Sequence, residues 1–371
     1  MHLRQAAQRP QETAWIPSYL QSLANTLPKC DEGKPACSNC QRQGTSCTYP
    51  EETASGVVPP TPSLSEDARQ NSDVAGFVYD GLDLLLMNHF STTTALELFP
   101  TKEASHIWQH ILPEEGSRSP LLMHGMLALA GLDMAQIKGA STPLSAPYRT
   151  RALHHQQRGL ALFQAALQEG SNDKIHAIFV FSLILLVLAF ASVQTETRPP
   201  SLDGILDLFG LFRGNRTLAQ LNWSLIKGSH IYRLLYPEQD NQEFRIDKRL
   251  QTYLEELEQK QDDQIYKDAV HLLAETVLTS TGVVFDSKAV GRWPSMMAEP
   301  FWDRLKAHKP EALVILAHYS LTLRAFRGRW WIGSWDQMLL SAVDEALAEE
   351  DKIRLKWSVK DMLPLLEMNT L

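Results

Sequence analysis

Apolar positions in this chain recur at three- and four-residue intervals over most of its length, and nowhere alternate with period two between hairpin turns. That periodicity predicts helices without a sheet, so the expected fold class is all-α. From Phe77 onward, Leu82, Leu85, Leu86, His89, Phe90 and Thr93 mark one helical face before Pro100 stops the run. Ser119-Pro120 reads as an N-cap followed by proline at the first helical position, opening a helix that reaches Ile137. A third run, from about Ala146 to Glu169, places Leu153, Leu160, Phe163 and Leu167 on one face.

The most apolar segment is Ala177 to Ala191, AIFVFSLILLVLAFA. A bilayer span wants about 20 apolar residues. This run is shorter and is bracketed by His176 and, soon after, by Gln194 and Glu196, with Asn172 and Asp173 offering a helix start. A central helix buried all round is the favoured reading over a membrane span. Further helices are expected from Leu202 to Phe212, ending at Gly214, then over about 249–258 and 265–280. The C-terminal third starts again at Pro310 and runs through Leu323 toward the aromatic knot Trp330-Trp331-Ile332-Gly333-Ser334-Trp335.

The pattern divides the chain. Residues 1–28 are an unassigned segment whose apolar positions are interrupted by Arg4, Arg9, Pro10, Glu12 and Pro17, so no secretory signal is expected there. Residues 51–75 are rich in Pro, Ser, Thr and acids with little to bury, and read as a flexible linker. Residues 76–371 form the helical body.

Composition narrows the function classes. The chain is 44% hydrophobic and 21% charged, ordinary for a soluble globular protein, with a net charge of −8. Residues 1–50 carry five Lys/Arg against three Asp/Glu, leaving 30 against 40 for the rest. A slightly basic head on an acidic body argues against a body that lies along phosphate.

The stretch Lys29 to Pro50, KCDEGKPACSNCQRQGTSCTYP, holds all four cysteines of the 371 residues. Cys37-x2-Cys40 is a knuckle that can put two thiolates on one tetrahedral Zn²⁺, and Cys30 and Cys47 are outlying thiolates able to complete a shell. Two disulfides are the competing reading, but disulfide-stapled secreted domains are usually short and cysteine-dense. Free core thiols are the other, against which stand the polar turn formers Asp31, Glu32, Gly33, Lys34, Pro35, Ser38 and Asn39 between them.

Lys29-Cys30-Asp31, Pro35-Ala36-Cys37-Ser38-Asn39-Cys40, Gly44 and Cys47-Thr48-Tyr49-Pro50 resemble the second half of the Zn2Cys6 binuclear cluster of fungal transcription factors. In that family six cysteines hold two zincs, two of them bridging, and basic residues of the first half reach DNA. The resemblance begins at Lys29, and the preceding 28 residues contain no cysteine. It therefore implies a cluster lacking its first half, through either a wrong first exon or loss in a paralogue. Cys30, Cys37, Cys40 and Cys47 are then the metal ligands for one zinc, and Lys29 and Lys34 the candidate DNA contacts. A second resemblance covers most of residues 77–335. LDLLLMNHFSTTTALELF, SPLLMHGMLALAGLDMA, AIFVFSLILLVLAFA and PEALVILAHYSLTLRAFRGRWW are similar to the helical regulatory domain of zinc-cluster factors of the sterol uptake control protein type.

Motifs for enzymatic chemistry are absent from the sequence: no G-x-G-x-x-G, no Walker loop, no H-E-x-x-H and no G-x-S-x-G. Ser171-x2-Lys174 and Ser224-x2-Lys227 match a serine–lysine pattern with no third group, and Asn222-Trp223-Ser224 is a sequon that matters only in a secreted chain. Glu103-x2-His106-x3-His110 could share one helical face, and a partly exposed face beside buried Ile107, Trp108 and Ile111 is the favoured reading.

The resemblance thus implies a nuclear, zinc-binding, non-enzymatic regulator of transcription by RNA polymerase II, with weak DNA binding for this chain. The alternative is a regulator without DNA binding of its own that senses a lipid or sterol and acts through partners. Residues 51–75 show no heptads, so a homodimer would not form through that segment.

Overall fold

The computed structural model describes residues 79–98, 102–139, 142–194, 199–235, 248–280 and 288–368. The expected zinc ligands, the candidate DNA contacts and the linker lie outside the described residues. Every regular element among the described residues is helical, as the apolar periodicity requires. Asp80 caps the first helix, α1 (Gly81–His89), by accepting from the Leu82 and Asp83 amides, while the Asp83 side chain accepts from the Asp80 amide. A π turn at Phe90–Thr94 and the short helix Ala95–Leu98 continue it.

Three long helices follow. α2 (Pro120–Ile137) has Pro120 at its first turn as expected, although the Ser119 hydroxyl makes no capping bond. α3 (Ala146–Glu169) ends at Gly170, whose φ of 64° is the left-handed closure that glycine adopts without a Cβ penalty. α4 (Ile175–Val193) is the apolar run, preceded by a 3-10 turn at Asn172–Lys174. Phe179, Val180, Phe181, Ile184, Leu188 and Phe190 are all buried, and they come from every side of the helix. The segments Pro120–Ile137 and Asn172–Val193 are long and apolar enough to cross a membrane, and in each 72% of the most apolar 18-residue stretch is buried.

Small residues allow α2, α3 and α4 to meet. A Cβ on Gly131 of α2 would stand 2.8 Å from the Ala152 Cβ and 3.0 Å from the Tyr148 carbonyl oxygen of α3. A Cβ on Gly159 of α3 would stand 2.7 Å from the ring of Phe181. The inner face of α3 is accordingly Ala152, His155, Gln156, Gly159, Leu160, Phe163 and Ala166, which keeps Leu160 and Phe163 of the face expected from sequence. Leu153 and Leu167 lie half-buried at its margins.

α5 (Leu202–Leu221) packs on α4 and runs through Gly214, where the sequence suggested a stop. Side chains on either side of Gly214 hold the helix in place. Arg213 donates to the Met297 carbonyl at 2.8 Å, and Asn215 Nδ2 donates to the Ser182 hydroxyl of α4 at 2.7 Å. The C-terminal half contains α6 (Lys248–Gln259), α7 (Gln264–Ser280), α8 (Lys288–Met296), α9 (Glu299–Lys306), α10 (Pro310–His318), α11 (Ser320–Ala325), α12 (Trp335–Ala346), α13 (Glu349–Leu355) and α14 (Val359–Met368). The aromatic knot docks on the end of α4. The Trp335 ring lies 4.8 Å from Phe190, and its indole nitrogen donates to the Phe190 carbonyl at 3.0 Å. Trp293 stacks on Tyr319, whose hydroxyl donates to the Val290 carbonyl.

Paired glycine substitutions test the crossing. Gly131→Ala should lower the unfolding free energy of the full chain by about 1–3 kcal/mol through overpacking against backbone. Gly210→Ala, in α5 with nothing within 4 Å of the new Cβ, should raise it by roughly 0.5–1 kcal/mol. Chemical denaturation showing the same sign for both would contradict the close approach.

Candidate functional site

Among the described residues, the densest set of chemically capable side chains is a buried polar chain between α1, α2 and α3. Arg151 of α3 donates through Nε to Asp83 Oδ1 at 2.6 Å and through Nη2 to Asp83 Oδ2 at 2.8 Å, a two-pronged pairing, and also binds Asp80. His155, one turn further along α3, donates through Nε2 to Asp83 Oδ1 at 2.8 Å. Its other ring nitrogen stands 2.7 Å from Nδ1 of His124 on α2. With His155 Nε2–H committed to the carboxylate, the two Nδ1 atoms share one proton, one donating and the other accepting. Asp83, His124 and His155 are each only 2–3% exposed.

Burial raises the Asp83 carboxyl, but the Arg151 and His155 hydrogen bonds and the Asp80 amide outweigh it and hold the group below the usual aspartate range. Burial is the main cause that pushes His124 down to about 4, with the neighbouring charges of His155, His154 and Arg158 adding to it. Burial also lowers His155, opposed by its bond to Asp83. At neutral pH the chain therefore consists of an ionised Asp83 facing Arg151 and two neutral imidazoles.

Beside it, Asp133 of α2 accepts from the Thr94 hydroxyl at 2.6 Å and lies 2.9 Å from His89 Nε2. A third buried imidazole lies in the C-terminal half. His318 Nδ1 donates to the Val314 carbonyl at 2.7 Å, leaving Nε2 to accept from the Tyr253 hydroxyl at 2.9 Å, and burial holds it at about 4. Through these bonds the buried groups position the helices that carry them.

The sequence pattern had put Leu85 on the buried face of α1. The structure instead buries Asp83 and leaves Leu85 45% exposed, because the pairing with Arg151 and His155 rotates the carboxylate inward. Sequence reasoning missed this network, although its trace was present: Asp83 and Asp133 are lone acids inside the apolar runs GLDLLL and ALAGLDMA. An unpaired charge at such a position would be costly. Lys174 of the serine–lysine pattern bonds Glu169 at 2.6 Å. His106 and His110 come together with ring centres 5.2 Å apart, beside buried Ile107 and Trp108 and half-buried Ile111. A surface recess lined by Pro199, Pro200, Ser201, Met338, Ser341, Ala342 and Glu345 holds about 100 Å³. That is well under the ~300–1,000 Å³ typical of sites for drug-sized ligands.

Comparison with known proteins supplies what this geometry does not. Residues 28–55 match the fungal Zn(2)-Cys(6) binuclear cluster domain, and residues 84–217 match the fungal specific transcription factor domain. The chain is similar to a Zn(2)-C6 fungal-type transcription factor of Gibberella zeae, 22% identical over 276 residues, covering 68% of this chain and 55% of that protein. It is likewise similar to the Zn(2)-C6 fungal-type transcription factor afumD of Aspergillus fumigatus, 22% identical over 189 residues, 50% of this chain and 49% of that protein. The chain spans about half the length of these curated relatives. The matched families are transcription factors and not enzymes, and the matched cluster domain binds zinc. Much of the polar chain, His124, Arg151 and His155 included, falls within the matched stretch 84–217.

The buried imidazoles predict acid sensitivity of definite sign. His124 and His318 are held at about 4 against an ordinary histidine value of 6.5. The unfolded chain therefore binds more protons between these values, and stability present above pH 6.5 is lost as pH falls toward 4. Asp83, held low, adds loss in the same direction below the unfolded aspartate range. Denaturant unfolding followed by tryptophan fluorescence should show a loss on the order of 1–2 kcal/mol per buried histidine between pH 7 and pH 5. An unchanged midpoint would contradict neutral burial.

Proposed function

We propose that this chain is a fungal nuclear regulator of transcription by RNA polymerase II, with a zinc-binding head at residues 29–50, a linker at 51–75 and a helical regulatory body at 76–371. The observation that carries this reading is order along one chain. A binuclear-cluster match at 28–55 precedes a transcription-factor-domain match at 84–217, and a 22%-identical relative bearing the same designation aligns over 276 residues.

The donor chemistry fits zinc, with a departure from the six-cysteine family pattern. Cys30, Cys37, Cys40 and Cys47 are four thiolates, enough for one tetrahedral ion, whereas two ions with bridging thiolates need six. The first half of the cluster is thus missing from this sequence, and the head holds one zinc in place of two. Lys29, Lys34 and Arg42 are the only basic side chains from Lys29 to Pro50. The phosphate contacts available to the head are therefore few.

That shortage favours a second reading, in which the chain regulates without binding DNA on its own and acts through partners or a bound hydrophobic ligand. A sterol is the ligand class suggested by the likeness of the body to factors of the sterol uptake control protein type. The body is read as free of membrane spans, the most apolar 18-residue stretches of its two candidate helices being 72% buried. Homodimerisation would have to use a surface other than residues 51–75.

Titrating the zinc-loaded full chain with duplex DNA at several salt concentrations tests the assignment. The expected result is weak binding without sequence preference and with a shallow salt slope, further weakened by Lys29→Ala with Lys34→Ala. A nanomolar, sequence-specific complex at physiological salt would overturn the half-cluster reading, and no DNA binding at any salt would leave the partner-dependent regulator.

A further inference from the structure

His106 and His110 take no part in the proposed function, yet the fold brings them together. His106 ends the helix Lys102–His106, and His110 lies in the π turn Ile107–Ile111. Positions four apart share a helical face. Both side chains are exposed, with ring centres 5.2 Å apart. The backbone beneath them is fixed by core packing, since Ala104, Ile107 and Trp108 are buried. Gln109 adds an anchor by donating to the Ser91 carbonyl at 2.8 Å. The pair is therefore presented on a fixed segment of the body.

Two imidazoles bound to one ion through nitrogens about 2.1 Å away place their ring centres roughly 4.5–5 Å apart. The observed separation lies close to that range, so chelation asks only for side-chain adjustment. Imidazole nitrogen suits Zn²⁺, Cu²⁺ and Ni²⁺, whereas Mg²⁺ and Ca²⁺ prefer oxygen. The spacing is that of the two histidines in the H-E-x-x-H zinc helix, but Ile107 stands where that motif carries its general base. An ion held here would thus have no adjacent carboxylate to activate water from that position. Among the described residues no group of three or more His, Cys, Asp or Glu side chains converges on one point, so the chelate is argued from the two imidazoles alone.

We propose that His106 and His110 form a two-histidine chelate for a divalent transition-metal ion of the Zn²⁺, Cu²⁺ or Ni²⁺ class, in addition to the thiolate site. The test passes the untagged full chain, loaded with one equivalent of zinc for the thiolate site and freed of excess metal, over a resin carrying Ni²⁺ with open coordination positions and reads the imidazole concentration at elution. His106→Ala and His110→Ala should each cut retention at least about tenfold, and as far as the double substitution does, because a chelate is lost with either partner. His271→Ala, which removes a single 63%-exposed histidine, should leave retention unchanged. Elution of either single variant with the wild-type chain, or an equal loss in His271→Ala, would overturn the chelate. Circular dichroism of each variant verifies that the helices are intact.

Discussion

The constraint on which the body depends is the close crossing of α2, α3 and α4. A helix with apolar side chains on every face cannot turn any face to water, so neighbours must cover it all round. α4 meets that demand by seating the Phe181 ring against Gly159 of α3 and Gly125 of α2, where added Cβ atoms would stand 2.7 Å and 3.0 Å from the ring. The far end of α4 is sealed by Phe212, Trp331 and Trp335 around Phe190. The aromatic knot near residue 330 is thus the cap of a helix that begins at Ile175. Truncation within that knot would expose the end of the core.

Close crossing also dictates the polar chemistry. Once α1, α2 and α3 lie this near one another, any charge between them is cut off from water and must find a partner. Asp83 finds Arg151 and His155, and Asp133 finds Thr94 and His89. These pairs tie the first helix of the body to the α2–α3 hairpin in one rotational setting. Removing a single partner leaves a buried charge uncompensated, which is why such networks specify geometry more than they add stability. The same desolvation keeps His124 and His318 neutral, so the packing that orders the body also makes it acid-sensitive.

Much of this architecture was legible in the sequence. The bounds of α2 and α3 and the apolar centre of α4 follow from apolar periodicity and from Pro120, because these features act within a few residues of where they stand. What was not legible depends on contacts distant in sequence. Gly214 reads as a helix stop, yet the bonds of Arg213 and Asn215 to α8–α9 and α4 carry the helix past it. Leu85 reads as core until the Asp83 pairing turns it outward. The candidate metal ligands rest on cysteine spacing, a feature local in sequence. Their geometry lies outside the described residues.

The proposed function assigns different forces to two parts of one chain, thiolate–metal bonds to the cysteine segment and the apolar core to the helices of the described residues. The most direct test measures zinc per chain by mass spectrometry, together with the helical signal and denaturation midpoint, before and after chelation, for the wild-type chain and Cys40→Ser. The account predicts one zinc per wild-type chain, loss of that zinc in Cys40→Ser, and a body whose helicity and midpoint are unchanged when zinc is removed. Two zincs per chain, zinc content unaffected by Cys40→Ser, or collapse of the helical signal on chelation would contradict it.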